Sequence, residues 1–255
     1  MSRLASILPR SLKPWLWQRL SRLMHLQYQL PSGIRAQISS YSDWCIYNDI
    51  FVAGEYDRAI NAALDKAKPW QTFQVVDLGA NVGFFTMRVL DLIARRQILF
   101  DRINCLLVEA SPRLLPSLHL HLDSIDRKEL QTKIVCGLIG LRTGEARLAL
   151  KASECMNQVG EEPAAASCRV PYYNLDEALD EAAGISLLKC DIEGSERDFL
   201  ENYPQLLRNT QVAVFEFHDP MCPASLGVTK VMSAGFTANR VLLDQGHATT
   251  ILFER

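Results

Sequence analysis

From residue 71 to the C-terminus, short apolar runs rich in β-branched residues alternate with longer segments whose apolar positions recur at helical spacing. Strands that read as near-continuous apolar runs, with helices between them, bury both faces, so the alternation predicts a parallel sheet with crossover helices. The strand segments are FQVVDL, INCLLVE, TKIVCGL, GISLLKCD and QVAVFEFH, then FTANRVLL and ATTILFER, which Asp244, Gln245 and Gly246 join as a terminal hairpin. Ser111 as cap and Pro112 in the first turn predict a helix carrying Leu115, Leu118, Leu122 and Ile125 on one face. Asn174 and Glu177 have capping-box spacing ahead of the stripe Leu175, Ala178, Leu179 and Ala182, and Gly184 supplies the stop. The small, polar and irregular residues 141–171 predict a hairpin plus a loop over the site.

The 255 residues, 48% apolar and 22% charged, suffice for one α/β domain with additions. A formal charge of −2 gives no global attraction to nucleic acid. Cys45, Cys105, Cys136, Cys155, Cys168, Cys190 and Cys222 are odd in number, scattered and free of any CxxC pair, as expected of reduced thiols in a cytoplasmic protein. No apolar run has the length of a bilayer span, and the N-terminus lacks the pattern of a secretory leader. Residues 1–42 contain no acid and interleave Arg3, Arg10, Lys13, Arg19, Arg22 and Arg35 with Trp15, Trp17 and several leucines. They predict a basic amphipathic helical arm, cut by Pro9, Pro14 and Pro31. Packing on the domain is its first expected use, and weak contact with an anionic membrane surface its second. The expected division is an arm over 1–42 and a Rossmann-like domain over 43–255.

In VVDLGANVGFFT, Val75 to Leu78 form a strand and Gly79 to Asn81 a turn, and a helix carrying Phe85, Val89, Leu90 and Ile93 begins at Val82. Such a turn offers free N–H groups to an anion. Its spacing is GxxxG, not the GxGxxG of dinucleotide binders, and the Asp77 carboxylate would repel a pyrophosphate. A phosphate-free ligand bearing both a cation and an anion fits better. S-adenosylmethionine is such a ligand: its carboxylate meets the turn and its ammonium faces Asp77 or a nearby carbonyl. Glu109, ending the second strand, takes the ribose hydroxyls, and Cys136 to Leu138 flank the adenine.

Lys189, Asp191, Glu193, Glu216 and His218 end the fourth and fifth strands, and alternation places Lys189, Asp191 and Glu193 on one side. His218 titrates near neutrality, as a general base requires. Asp191 orients an acceptor or holds the donor. Glu193 is either a second candidate base or a charge at a helix start, and the sequence does not choose between it and His218. A divalent cation on Asp191, Glu193 and Glu216 is a less favoured use of the same oxygens. His119 and His121, two residues apart on a helix, read as surface residues.

Taken in order, DLGANVGFFT, VEASP and VPYYNLDEAL…LLKCDIEGSERDFL…VAVFEFHD resemble the FkbM-family methyltransferases, a branch of the class I S-adenosylmethionine-dependent enzymes. The similarity spans roughly residues 43–220, and its more specific part is Lys189 to Gly194 with the upstream LDEAL. The resemblance implies a doubly wound, mostly parallel seven-stranded sheet with a reversed C-terminal strand. It also implies a methyl donor over the strand ends and transfer to a hydroxyl oxygen. Cofactor roles carry over onto Asp77, Gly79, Asn81, Gly83 and Glu109, while the catalytic roles expected of Asp191, Glu193 and His218 rest on their places at the strand ends. LHLHLDSIDRKEL replaces the asparagine-rich turn common in the family. The expected function is O-methylation of a small metabolite, sugar or glycan. The competing readings are a non-catalytic binding module of the same fold and an NAD-dependent oxidoreductase, which the glycine spacing and Asp77 oppose.

Overall fold

The computed structural model describes residues 26–149, 158–159, 167–179 and 184–255. Most of the expected basic arm, together with Cys155 and Ala182, lies outside them. The described chain opens with a hairpin, β1 Leu26–Gln29 and β2 Arg35–Ile38, followed by α1 Tyr41–Tyr47, a π-helical stretch Asn48–Ala53 and α2 Asp57–Lys66. Strand and helix then alternate through β3 Thr72–Leu78, α3 Phe84–Arg95, β4 Arg102–Glu109, α4 Leu115–Asp123 and β5 Leu130–Cys136. A separate antiparallel sheet comprises β6 Glu145–Ala149, β7 Gln158–Val159 and β8 Ser167–Pro171. The chain returns through β9 Ile185–Cys190, α5 Glu196–Asn202, α6 Pro204–Arg208, β10 Thr210–His218, α7 Ala224–Ser233, β11 Ala238–Asp244 and β12 Ala248–Glu254.

The central sheet has the order β11-β12-β10-β9-β3-β4-β5, and β12 runs antiparallel to both of its neighbours. The other pairings are parallel. This is the class I methyltransferase fold, with the reversed strand and the terminal hairpin where the sequence placed them. Alternation along each strand divides the core. Val75 and Leu107 pack on one side with α2 and α3, while Val76 and Leu106 pack on the other with α5 and α7.

Three expectations are corrected. The helix after β4 starts at Leu115 and Ser111 is not its cap: the Ser111 hydroxyl is buried with no hydrogen-bond partner among the described residues, while its N–H donates to the Glu109 carboxylate. Asn174 does cap, but its Oδ1 accepts from Asp176 N–H and its Nδ2 donates to Glu177, closing a 3₁₀ turn over Leu175–Glu177 in place of the longer helix. Within the stretch expected as a helical arm, residues 26–38 form a hairpin, and its Leu30, Ile34, Ala36 and Ile38 belong to the main core. Ser40 and Asp43 cap α1 reciprocally just beyond it. No described helix is long and apolar enough to cross a membrane. The six described cysteines are free thiols.

His121 is also not on the surface. It is 3% exposed, and its ring nitrogens meet the Val82 carbonyl at 2.7 Å and the Gln37 N–H at 3.0 Å. Nδ1 therefore carries the proton and Nε2 accepts, so one imidazole ties the glycine turn to the N-terminal hairpin.

Candidate functional site

The strand order reverses direction between β3 and β9, so their carboxyl ends diverge around a crevice, the position where open α/β sheets bind ligands. Gly79 ends β3 with φ +76°, and a Cβ there would collide with the Asp191 carbonyl. The glycine is thus required by close approach of the two chain ends. Asp191 N–H completes that approach by donating to Leu78 O at 3.1 Å. Asn81 is left-handed at φ +51°, and its side chain accepts from Val82 N–H at 2.8 Å. Gly83 stands at φ +88° before α3, which begins at Phe84, and a Cβ there would strike Leu118 and Leu122 of α4. Gly83 therefore serves the packing of α3 on α4.

The Glu109 carboxylate accepts from Asn81 N–H at 2.8 Å and from Ser111 N–H at 2.7 Å, clamping the two loops that follow β3 and β4. Burial raises its pKa against the pull of these bonds. Each oxygen keeps a further lone pair for a ligand hydroxyl. The cavity beside it is walled by Gly79, Asn81, Glu109, Leu138, Asp191 and Glu193, with Leu114, Ile139 and Leu148 as apolar surface. Gly137 and Leu138 thus stand where the adenine wall was expected.

Asp77 does not reach this cavity. It is 0% exposed, accepts from the Thr86 hydroxyl at 2.9 Å, and lies 3.5 Å from Lys189 Nζ. A lysine of the neighbouring strand thus stands against the carboxylate that was expected to face a ligand ammonium. Lys189 also donates to Gly79 O at 2.7 Å and approaches Asp191 at 3.5 Å.

Asp191 and Glu193 face a second cavity of about 170 Å³, which shares Gly79 and Asn81 with the first and adds Tyr56, Phe84, Phe85, Glu55 and Glu216. Glu193 is held at φ +53°, a conformation uncommon outside glycine. His218 lies behind this wall. Its Nδ1 donates to Glu196 at 2.9 Å, and Nε2 stands 3.6 Å from Glu193, 3.7 Å from Glu216 and 3.9 Å from Asp191. Burial alone would lower its pKa, but the Glu196 hydrogen bond and the surrounding acids push it up to about 9. Burial first, and Asp191 second, push Glu193 up to about 7 and Glu216 up to about 8. The ligand-capable atoms of Asp191, Glu193 and His218 lie within 4.8 Å of one another, so the histidine joins the two acids in the potential cation triplet where Glu216 was expected.

Sequence reasoning missed Glu196, Glu55 and Tyr56. Glu196 is 0% exposed, and its Oε1 also accepts from Gly194 N–H at 3.1 Å. It was findable as the third acid of DIEGSE, because a helix-opening acid beside a strand-end histidine makes an orienting pair. Glu55 and Tyr56 enter from the segment before β3, and only packing shows that they face the crevice.

No protein-family model matches the sequence, and no curated protein matches it. Similar solved structures include the FkbM methyltransferase of Methylobacillus flagellatus KT, with 16% identity over 93% of this chain and 57% of that chain and a TM-score of 0.45. The CMeT domain of the citrinin polyketide synthase is 9% identical over 85% of this chain and 57% of that one, with a TM-score of 0.48. The N-terminal domain of EvdMO1, solved in the presence of SAH and D-fucose, is 12% identical over 95% and 97%, with a TM-score of 0.46. The chain spans little more than half the length of the first two.

Proposed function

We propose that this chain is an S-adenosylmethionine-dependent methyltransferase acting on a hydroxyl of a small metabolite, sugar or glycan. The observation that carries the reading is the meeting of two cavities at Asp191 and Glu193, beside the strand-order reversal. The first suits the donor. Glu109 offers acceptor lone pairs to ribose hydroxyls, and Leu114, Leu138, Ile139 and Leu148 offer apolar surface to a base. Among the described residues no Lys or Arg lines it, whereas Glu109, Asp191 and Glu193 do, so a sulfonium is favoured there and a pyrophosphate disfavoured. This argues against the nicotinamide dinucleotide reading.

S-adenosylmethionine supplies an electrophilic methyl group on sulfur. The chain's task is to align an acceptor oxygen with it and take the hydroxyl proton as the sulfur–carbon bond breaks and the oxygen–carbon bond forms. Glu193 is the best placed base, since it lines both cavities and its pKa of about 7 leaves it partly ionised at neutral pH. His218, protonated at that pH, positions Asp191 and Glu193 from behind, oriented by Glu196. Asp77 acts through Lys189 on the Gly79 carbonyl.

Calorimetry with S-adenosylhomocysteine tests the donor site, and absence of binding at millimolar ligand would end the reading. Incubation with labelled methyl donor and cell extract, followed by mass identification of the product, names the acceptor. Glu193→Gln should lower kcat by about 10²–10⁴-fold with donor affinity retained. Full turnover in that variant would remove Glu193 as the base.

A further inference from the structure

The second cavity is strongly acidic. Asp49, Glu55, Asp191, Glu193 and Glu216 line it with a single cation, Lys189. That cation is already engaged by the Gly79 carbonyl at 2.7 Å and by Asp77 and Asp191 at 3.5 Å. The His218 imidazole donates to Glu196, outside the cavity wall. Among the described residues, none of Asp49, Glu55, Glu193 and Glu216 pairs with a lysine or arginine, and Glu55 has only the Thr250 hydroxyl at 3.0 Å. Burial raises the pKa of Asp49 and of Glu55, so a positive group brought beside them would favour their charged forms.

Tyr56 adds an independent observation. It is 5% exposed and lines the cavity, and its hydroxyl lies in the field of Asp191, Glu216 and Glu55 with no hydrogen-bond partner among the described residues. An unpaired hydroxyl on a buried residue that lines a cavity is free to meet a ligand group. Phe84 and Phe85 contribute ring surface beside it. At roughly 30 Å³ per water, the 170 Å³ cavity holds on the order of six waters, the bulk of a single sugar-sized ring.

Resting on the methyl-transfer reading, we infer that the acceptor carries a cationic amine, held by Glu55 and Glu216 beside Tyr56, with its reacting hydroxyl next to Glu193. The cavity then selects amino sugars or aminocyclitols and rejects phosphorylated or carboxylated acceptors, which five acids would repel. An ammonium held by carboxylates has no lone pair to offer, so the methyl group goes to oxygen.

The test uses the full chain loaded with S-adenosylhomocysteine. D-glucosamine and 2-deoxystreptamine are titrated by calorimetry, each against its N-acetylated counterpart, which keeps the ring and hydroxyls but loses the charge. The amine should bind about tenfold or more tightly, with the preference shrinking as NaCl rises. Glu55→Gln should reduce the preference several-fold. So should Asp49→Asn, a change at an exposed position that leaves folding intact. Equal binding of the matched partners, whether measurable or absent at tens of millimolar, overturns the inference. So does binding that requires Mg²⁺ or Mn²⁺, which would make the acids a metal site. S-adenosylhomocysteine binding is read first: its loss with amine preference intact removes the methyl-transfer reading alone, and the converse removes only this inference.

Discussion

Lys189 Nζ lies 3.5 Å from Oδ1 of Asp77, its directly paired residue on the adjacent parallel strand, and 2.7 Å from the carbonyl oxygen of Gly79. An ammonium therefore already stands against the strand-end aspartate, and it belongs to the protein. Burial works to discharge Lys189, but Asp191, Asp77 and Glu216 override it and hold the amine above the usual lysine range.

Removing that amine should be costly. Lys189→Met leaves the fully buried Asp77 without its counter-charge and should destabilise the chain by about 3–5 kcal/mol, as breaking one side of a buried pair does. Asp77→Asn added to Lys189→Met should recover part of the loss. Urea denaturation of the two single variants and the double variant checks this, and additive effects would mean that the pair is not coupled.

Stability should fall as pH rises from about 5 to 9. His218, faced by Glu196, Asp191, Glu193 and Glu216, moves from 6.5 to about 9 on folding. Its contribution is complete below 6.5 and lost as pH climbs through 9. Glu193 and Glu216 move from 4.5 to about 7 and about 8, so the folded state also binds more of their protons over this range. All three effects have the same sign. Thermal melts across the range should show the decline, and Glu196→Gln should flatten its upper end. A melting temperature that rises from pH 6 to 9 would contradict the shifts.

Glu109→Gln should separate two roles. Its amide nitrogen would face a backbone N–H that the carboxylate now satisfies, at a cost of about 1–3 kcal/mol in unfolding experiments. S-adenosylhomocysteine affinity should also drop by about tenfold, the scale of one charge-assisted hydrogen bond. Unchanged affinity with lowered stability would leave Glu109 only its loop-clamping role.

Two glycines make a controlled comparison. Gly79→Ala places a methyl group against the Asp191 carbonyl at positive φ, and should destabilise by more than about 2 kcal/mol while displacing the β9 end. Gly184→Ala meets nothing nearer than 3.8 Å and needs no left-handed backbone, so it should be neutral or mildly stabilising. Equal melting temperatures for the two variants would show that the crossing of β3 and β9 is looser than described.

Much of the architecture is legible in the residues because its causes are local. FQVVDL and INCLLVE are apolar on both faces and become interior parallel strands, and the closing hairpin turns at Asp244, Gln245 and Gly246. Local signals mislead where the residue is used otherwise in the fold. The Ser111 N–H serves the Glu109 carboxylate and its hydroxyl caps nothing, and Asn174 closes a tight turn in place of a longer helix.

Residue order alone settles the succession of elements, the direction of the strands, and the presence of acids at the ends of β4, β9 and β10. Assembly of the sheet settles which of those acids meet a ligand. Lys189 and Gly79 are 110 residues apart in the chain, and only the register of β9 on β3 places that amine on that carbonyl and turns Asp77 away from the crevice. The same packing sets Glu196 behind His218, and Glu55 and Tyr56 across from Glu216. Charge compensation acts through space over a few ångströms, and a linear pattern does not contain those distances.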